Sequence, residues 1–386
     1  MTTEILIGLA GFSLVLWVVL LFFRSGFWLA DQRLGVIGEL AFWPAIIAVV
    51  PARNEVETIK RAVVSLLAQD YPGELRVIVV DDNSNDGTAV AAGESDRLWK
   101  ISGKPLKEGW SGKLWAVSQG IDAVNEVMPE ATYILLTDAD IVHDPSNLAR
   151  LVYKAETEGR HLVSLMVKLR SECFWERWLI PAFVFFFQKL YPFPAVNDPK
   201  NKTAAAAGGC MLVNRGTLVD MGGVSVIRSH LIDDCALANL IKSHNPIWIG
   251  LAGRTHSLRA YNELSEIWNL VTRTAFVQLN YSVLLMTGTV LGMALIYLIP
   301  PIAVIFGLWL QIGHLTVIGG LGWGAILISY TPTLLLYRLS PIRGIALPLV
   351  AGLYSLMIIA SAFIHLKGEG GYWKGRYYGN VGRANR

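Results

Sequence analysis

The chain has 386 residues, of which 53% are hydrophobic and only 16% charged, and its mean hydropathy is +0.44. Soluble globular proteins are closer to a quarter charged, so the composition excludes a wholly water-exposed fold and places part of the chain in lipid. A net charge of +3, with no basic stripe interleaved with aromatics, excludes nucleic acid as a partner.

The first apolar stretch, residues 5–23, is uncharged and of bilayer-spanning length. Glu4 is the only charge before it, so a basic n-region is lacking, and no small-residue cleavage site follows, so it reads as an anchor rather than a removed signal. Arg24 and Arg33 come next, and the positive-inside rule then puts the N-terminus outside and everything from Arg24 to about Asn280 in the cytoplasm. Three cysteines, Cys173, Cys210 and Cys235, form no Cys-x-x-Cys pair, which suits a reducing compartment.

Between about 44 and 252 short apolar strands alternate with helical periodicity, the pattern of an α/β domain with a mainly parallel sheet. The strand Ala45–Val50 ends at Pro51-Ala52-Arg53-Asn54-Glu55, and Ile59, Ala62, Val63, Leu66 and Leu67 then mark a helix. The next strand, Leu75–Val80, is nearly all aliphatic, as a strand covered on both faces should be. It empties into Asp81-Asp82-Asn83-Ser84-Asn85-Asp86-Gly87-Thr88, at the sheet edge where open α/β folds bind ligands. The blander reading is a turn in which Asp86 caps a helix.

Gly109-Trp110-Ser111-Gly112-Lys113 opens a further helix, and a glycine-flanked lysine there can meet phosphate oxygens by charge and by free backbone amides. Leu114 after Lys113 breaks the Walker A spacing. The apolar run Tyr133–Leu136 then delivers Thr137-Asp138-Ala139-Asp140. Residues two apart on a strand share a face, so the two carboxylates can converge on one cation. Mg²⁺ typically takes one or two protein carboxylates plus substrate phosphates. In isolation such a pair reads more readily as a solvated acidic turn; three acidic or polar loops at successive strand exits would all lie on one edge of the sheet.

His161–Leu169 is a further strand, and the aromatic segment 174–187 reads equally as a core helix or as a helix in the bilayer interface. Gly208-Gly209 lets the backbone approach a ligand closely. Asp233-Asp234 opens a helix, either as dipole-favoured caps or with one of them as a general base. Leu264, Ile267, Trp268, Val271 and Ala275 form one face of an amphipathic helix that carries Arg273 on its other side. From Tyr281 to Leu366 the only charges are Arg338 and Arg343, giving spans at about 282–310, 315–337 and 345–366. Three spans leave the basic tail outside, against its charge, and Pro300-Pro301 offers a break that would return it to the cytoplasm. The expected layout is an anchor at 1–24, a cytoplasmic domain at 44–260, an interfacial helix at 261–280, spans at 281–366 and a basic tail at 367–386.

Taken in order, Pro51-Ala52-Arg53-Asn54-Glu55, Val80 to Thr88, Thr137-Asp138-Ala139-Asp140 and Asp233-Asp234 resemble glycosyltransferase family 2, over about residues 44 to 280. With the anchor, the stretch Gly109–Ala116 and the C-terminal helices, the chain is most similar to the hopanoid-biosynthesis-associated subgroup, and more distantly to ceramide glucosyltransferases. The resemblance implies a GT-A-type nucleotide-sugar fold and an inverting transfer. It implies that Pro51, Ala52 and Glu55 line the nucleoside, that Asp82 meets the uracil, and that Asp138 meets the ribose or diphosphate. Asp140, with Asp138, would hold Mg²⁺ or Mn²⁺; Asp234 would be the base, with Asp233 in place of the usual glutamate. Lys113 and Arg273 would assist at the diphosphate, and Gly208 and Gly209 fall on the acceptor side. The Gln-x-x-Arg-Trp signature of processive synthases is replaced by Asn269-Leu270-Val271-Thr272-Arg273-Thr274.

The expected activity is transfer from a nucleotide-sugar, a UDP-sugar, to a membrane lipid acceptor, with a hopanoid implied by resemblance, at the inner membrane of a bacterium. The alternatives are a processive polysaccharide synthase and a nucleotide-binding transport or scaffold protein without catalysis. The absence of acids in the C-terminal spans weighs against an ion or proton pathway. An NAD-dependent oxidoreductase is weaker still, since the Gly-x-Gly-x-x-Ala match from Gly320 to Ala325 sits in a lipid-spanning run.

Overall fold

The structure is a computed structural model that describes residues 2–368 and, by backbone alone, the short strands Tyr372–Trp373 and Arg376–Tyr377. Apart from those strands, the expected basic tail beyond residue 368 lies outside the described residues. The chain divides into two compact units: one helical, from Met1–Ala30, Ser171–Pro194 and Tyr261–Gly371, the other α/β, mainly from Asp31–Arg170 and Ala195–Ala260. The aromatic segment, which the sequence frame includes in 44–260, groups with the helical unit.

In the α/β unit eight strands form one sheet: β1 (Ile46–Ala52), β2 (Leu75–Asp81), β3 (Leu98–Ser102), β4 (Tyr133–Thr137), β5 (Ile141–Val142), β6 (Leu162–Lys168), β7 (Cys210–Asn214) and β8 (Ile247–Ser257). Their order is β3-β2-β1-β4-β7-β6-β8-β5. The strands β3, β2, β1 and β4 are parallel, so their C-terminal ends share an edge; β7 runs antiparallel to β4 and β6, and β8 is parallel to β6. β5 follows β4 closely in sequence yet pairs with β8 at the far side, so the turn Asp138-Ala139-Asp140 leads from the middle of the sheet to its other margin.

β1 is buried along its whole length, which is why it reads as a continuous aliphatic run. It continues through Pro51 and Ala52, beyond the expected end at Val50. A proline is tolerated there for a definable reason. Asp82 N–H donates to Ala52 O, so alternation turns Pro51 toward β4, and the β4 ladder has already stopped at Val49↔Leu136. The helix Ile59–Leu67 buries Ile59, Ala62, Val63 and Leu66, the stripe its sequence periodicity predicts. Ile59, Val63 and Leu66 each contribute roughly 1.5–3 kcal/mol on burial. The helix Gly112–Val127 packs closely on the sheet because Gly120 has no side chain: a Cβ there would stand 2.4 Å from Val49 Cγ1.

The helical unit contains four helices long and apolar enough to cross a membrane, Thr3–Phe23, Val283–Trp309, Gly313–Leu336 and Pro341–Leu366. These fit the expected one N-terminal and three C-terminal spans. Pro300-Pro301 does not split the first C-terminal span. A π-helical stretch, Ala294–Leu298, precedes the pair, and the wider turn accommodates prolines that would clash with the carbonyls of a regular α-turn. Trp17 Nε1 donates to the carbonyl of Ile296 within that stretch (2.6 Å).

The aromatic segment forms the helix Phe174–Leu190 and behaves as a core helix of this unit. Phe185 packs on Tyr330, Phe186 on Tyr297 and Tyr354, and Tyr354 donates its hydroxyl to Leu179 O (2.9 Å). The helix Leu264–Gln278 buries Ile267, Val271, Thr272 and Phe276, so the inward face turns slightly from the predicted one; Trp268 and Ala275 are half-buried. Ser361 ties it to the last span, donating to Thr272 O (2.5 Å) and accepting from Phe276 N (3.0 Å).

Candidate active site

The loops leaving β1 and β2 are stitched into one body. Arg53 Nη1 donates to Asp82 O (2.5 Å) and lies 4.0 Å from the fully buried Asp82 carboxylate. Asn54 N donates to Ser84 Oγ (2.9 Å), Glu55 N to Thr88 Oγ1 (2.8 Å) and Val56 N to Asp86 Oδ2 (3.1 Å). Asp86 also accepts from Thr88 N and Oγ1. Slight desolvation opposes ionisation there, but these hydrogen bonds hold its carboxyl below the usual range. Asp86 therefore builds the turn, but the cap of the following helix Thr88–Ala91 is Gly87 rather than Asp86, because the Asp86 carboxylate is spent on Val56 and Thr88 one residue earlier.

Lys113 enters from the helix Gly112–Val127, whose start is fixed by Ser111: its Oγ accepts from Leu114 N (3.3 Å) and its own amide donates to Arg228 O (2.9 Å). The ammonium of Lys113 lies 2.8 Å from Asp138 Oδ1 and 3.5 Å from Asp233 Oδ2. Burial by itself would pull the Lys113 pKa down, but Asp138, Asp233 and Asp234 outweigh it, so the amine is held well above its ordinary value.

Asp233 and Asp234 lie in the first turn of the helix Asp233–Lys242, where the macrodipole favours carboxylates. Neither is the cap residue, which is Ile232. Asp234 accepts from Cys235 N on one oxygen (2.7 Å) and from Gly208 N on the other (2.9 Å). Burial and the adjacent Asp233 push its pKa up to about 6, against the lowering pull of Lys113 and the two amides.

Asp140 is buried and takes a hydrogen bond from Ser257 Oγ on Oδ2 (2.6 Å), with Arg259 Nε 3.6 Å from the same oxygen. Arg259 Nη2 also pairs with Glu55 Oε1 (2.7 Å). Burial and the charge of Asp138 raise the Asp140 pKa despite Arg259 and Ser257. Among the described residues no group of three or more His, Cys, Asp or Glu surrounds one point. A hard cation that takes only one or two protein carboxylates and completes its shell with phosphate and water still fits Asp138 and Asp140. Burial first, and the neighbouring carboxylates Asp138 and Asp233 second, raise the pKa values of Asp140 and Asp234, and a nearby cation would favour the ionised form of each.

Pro51, Lys113, Asp138, Gly208 and Asp233 line one cavity, with Leu136 and Leu237 in its apolar wall. Gly208 faces Lys113 and Asp234: a Cβ there would stand 3.2 Å from Lys113 Nζ and 3.4 Å from Asp234 Oδ2. Gly209 is tucked behind, where a Cβ would meet Val167 Cγ2 at 3.0 Å. Ala52, Glu55, Asp82, Asp140 and Asp234 belong to the same edge through the contacts above. Arg273 is half-buried on Leu264–Gln278 in the helical unit. The sequence reading passed over Ser257 and Arg259, which close the site from the end of β8 and just beyond. A lone serine and arginine after an unrecognised eleven-residue strand carry no motif, so only the pairing of β8 with β5 reveals them.

Acidic loops on the C-terminal edge of parallel strands, facing a lysine and a second acidic pair, belong to an α/β fold of the GT-A-like kind. Residues 47–222 match the family model Glycosyl transferase family 2, so the chain carries a domain of that family and is a glycosyltransferase. Among solved structures the fold is similar to the mannosyltransferase PcManGT from Pyrobaculum calidifontis, in complex with GDP-Man and Mn²⁺, with a TM-score of 0.56 and 17% identity over 95% of this chain and 99% of that one. Mannosyl-3-phosphoglycerate synthase from Rubrobacter xylanophilus matches with a TM-score of 0.38 and 18% identity, covering 64% of this chain and 74% of that one. Glucosyl-3-phosphoglycerate synthase from Mycobacterium tuberculosis, in complex with phosphoglyceric acid, gives 0.39 and 20%, covering 61% and 79%. No curated protein matches the chain.

Proposed function

We propose that this glycosyltransferase moves a sugar from a nucleotide-sugar donor, a UDP-sugar, to a lipid acceptor, inverting the anomeric carbon, with Asp234 as the base. The observation that carries the reading is the bridge made by Lys113, which contacts Asp138 of the donor loop and Asp233 beside the base across a single cavity. Pro51, Ala52, Glu55 and Asp82 line the nucleoside side of that edge. The structural likeness to a protein solved with GDP-Man and Mn²⁺ supports a nucleotide-sugar donor and a divalent cation.

When bound at Asp140 and Asp138, Mg²⁺ or Mn²⁺ supplies Lewis-acid neutralisation of the leaving diphosphate. Lys113, held protonated by its acidic neighbours, adds a fixed positive charge at the same place. Asp234, with a pKa of about 6, is ionised at neutral pH yet basic enough to take the proton of the acceptor hydroxyl as its oxygen attacks the sugar. Positioned general-base help of this kind is worth roughly 10²–10⁴-fold. The four apolar helices support a membrane acceptor, and Arg24 and Arg33 support a cytoplasmic domain at a bacterial inner membrane. A hopanoid is the acceptor to which the sequence resemblance points. The missing Gln-x-x-Arg-Trp signature favours a single transfer over polymer synthesis.

Membranes containing the protein should release UDP from labelled UDP-sugars, and Asp234→Asn should abolish turnover while leaving donor affinity within about twofold. Near-normal transfer by that variant would remove Asp234 from the role of base. Lipid profiling of a deletion strain should show the loss of one glycosylated lipid; an unchanged profile would sink the lipid acceptor.

A further inference from the structure

A buried polar chain lies behind the acidic loop and takes no part in the mechanism above. Asn147 Nδ2 is 3.1 Å from His143 Nδ1, His143 Nε2 is 2.9 Å from Thr137 Oγ1, and Thr137 Oγ1 is 2.8 Å from Gly209 O. All three side chains are buried, with exposures of 4%, 3% and 2% for Asn147, His143 and Thr137. The ends of the chain fix its direction. An amide nitrogen only donates and a carbonyl only accepts. His143 Nδ1 therefore accepts from Asn147, Nε2–H donates to Thr137, and the Thr137 hydroxyl donates to Gly209 O.

We infer that Thr137 and His143 are positioning residues, forming a one-way hydrogen-bond relay that sets the backbone carrying Asp138 against the backbone that holds Asp234. Thr137 immediately precedes Asp138, and it stands directly opposite Cys210 in the β4–β7 ladder. Gly209 immediately follows Gly208, whose amide grips Asp234 Oδ2. The relay thus joins the donor loop and the base through two adjacent peptide units, braced by Asn147 at the start of the helix Asn147–Glu158. Only the neutral Nε2–H tautomer satisfies every member, and burial keeps the imidazole neutral by lowering its pKa to about 4. An imidazolium would turn a second donor against the Asn147 amide.

The roles of Asp138 and Asp234 used here rest on the function proposed above, so the test has one arm that does not need activity. Long-range ¹H–¹⁵N spectra of the ¹⁵N-histidine-labelled full chain, with His143 assigned by its loss in His143→Gln, should show the neutral Nε2–H tautomer unchanged from pH 8 to pH 5. A charged ring or an Nδ1–H tautomer overturns the relay whatever the enzyme transfers. In the activity arm, Thr137→Val removes the hydroxyl at nearly constant shape, and Thr137→Ser keeps it. Misplacements of up to about 1 Å in an active site cost about 10- to 100-fold. Thr137→Val should lose that much in kcat with UDP affinity within about twofold, and Thr137→Ser should stay within about threefold of wild type. Equal kcat for the valine and serine variants overturns the positioning role. If wild-type membranes transfer no sugar, the functional reading fails and the tautomer by itself decides the relay.

Discussion

The ammonium of Lys113 sits 2.8 Å from Asp138 Oδ1, so a residue at the start of one helix neutralises a carboxylate at the end of β4. Lys113→Met would leave Asp138, Asp233 and Asp234 to repel one another. Hydrogen bonds to charged groups are worth about 1.5–3 kcal/mol when buried, and partial exposure here reduces that. UDP affinity measured by calorimetry with Mn²⁺ should fall about tenfold, and the acid limb of the kcat profile should move upward. An unchanged limb would show that Lys113 does not act on the base.

Asp234 gives a pH dependence whose sign can be worked out. Its pKa of about 6 in the folded chain lies above its ordinary value of 3.8, mainly through burial. As a base it must be ionised, so kcat should fall as pH drops through about 6. Stability should run the other way. Between about 4 and 6 the folded state binds more protons than the unfolded state, so this residue's contribution declines as pH rises through that window. Denaturant titrations of the wild type and Asp234→Asn at pH 4.5 and pH 7 should show the difference; parallel curves would count against the assignment.

Gly208→Ala probes the closeness of the base and the lysine. The added methyl would stand 3.2 Å from Lys113 Nζ and 3.4 Å from Asp234 Oδ2, so Lys113 or the Gly208–Asp234 hydrogen bond must give. The expected result is a kcat loss of about tenfold or more with a stability change of about 1 kcal/mol or less, since a flexible side-chain tip can move. Unaltered turnover would place the reacting atoms elsewhere.

Asp140 is held by Ser257 and Arg259 as well as by its own loop. Asp140→Ala should weaken UDP binding in the presence of Mg²⁺ or Mn²⁺ and leave metal-free binding nearly as it was. Calorimetry in the two conditions separates these outcomes, and equal affinity of wild type and variant with metal present would remove Asp140 from the cation's coordination.

Much of this arrangement is legible in the chain because parallel strands convert sequence order into a shared edge. Aliphatic runs ending in Asp82 and Asp138 had to place those residues together once β1, β2 and β4 were recognised as parallel. Lys113 could be suspected from Gly109 to Gly112, but its partners could not, since they come from β4 and from the helix Asp233–Lys242. Thr137, His143 and Asn147 were invisible for a different reason: each is an unremarkable residue type until burial removes water and sets them beside one another, with Cys210 Sγ as a second contact of Asn147 Nδ2. Arg259 and Ser257 depended on β8, a strand whose polar second half hides its period. In the helical unit, Pro300-Pro301 misled because the π-helical stretch that accommodates it depends on the register of the backbone rather than on composition.

The reversal of β7 makes the domain lopsided toward change. A forward-running strand would have brought Gly208 and Gly209 to the rear rim; running backwards, its first residues arrive beside Asp138 and its last, Asn214, lies opposite Tyr133 at the other end of β4. Insertions just after Asn214, where that residue caps the helix Arg215–Asp220 and Arg215 N–H donates to Thr132 O, should therefore cost stability on the rear rim and spare the chemistry, while a single residue added between Ala205 and Gly208 should silence the enzyme. A scan of one-residue insertions along residues 203–218 would trace that asymmetry as a step rather than a gradient.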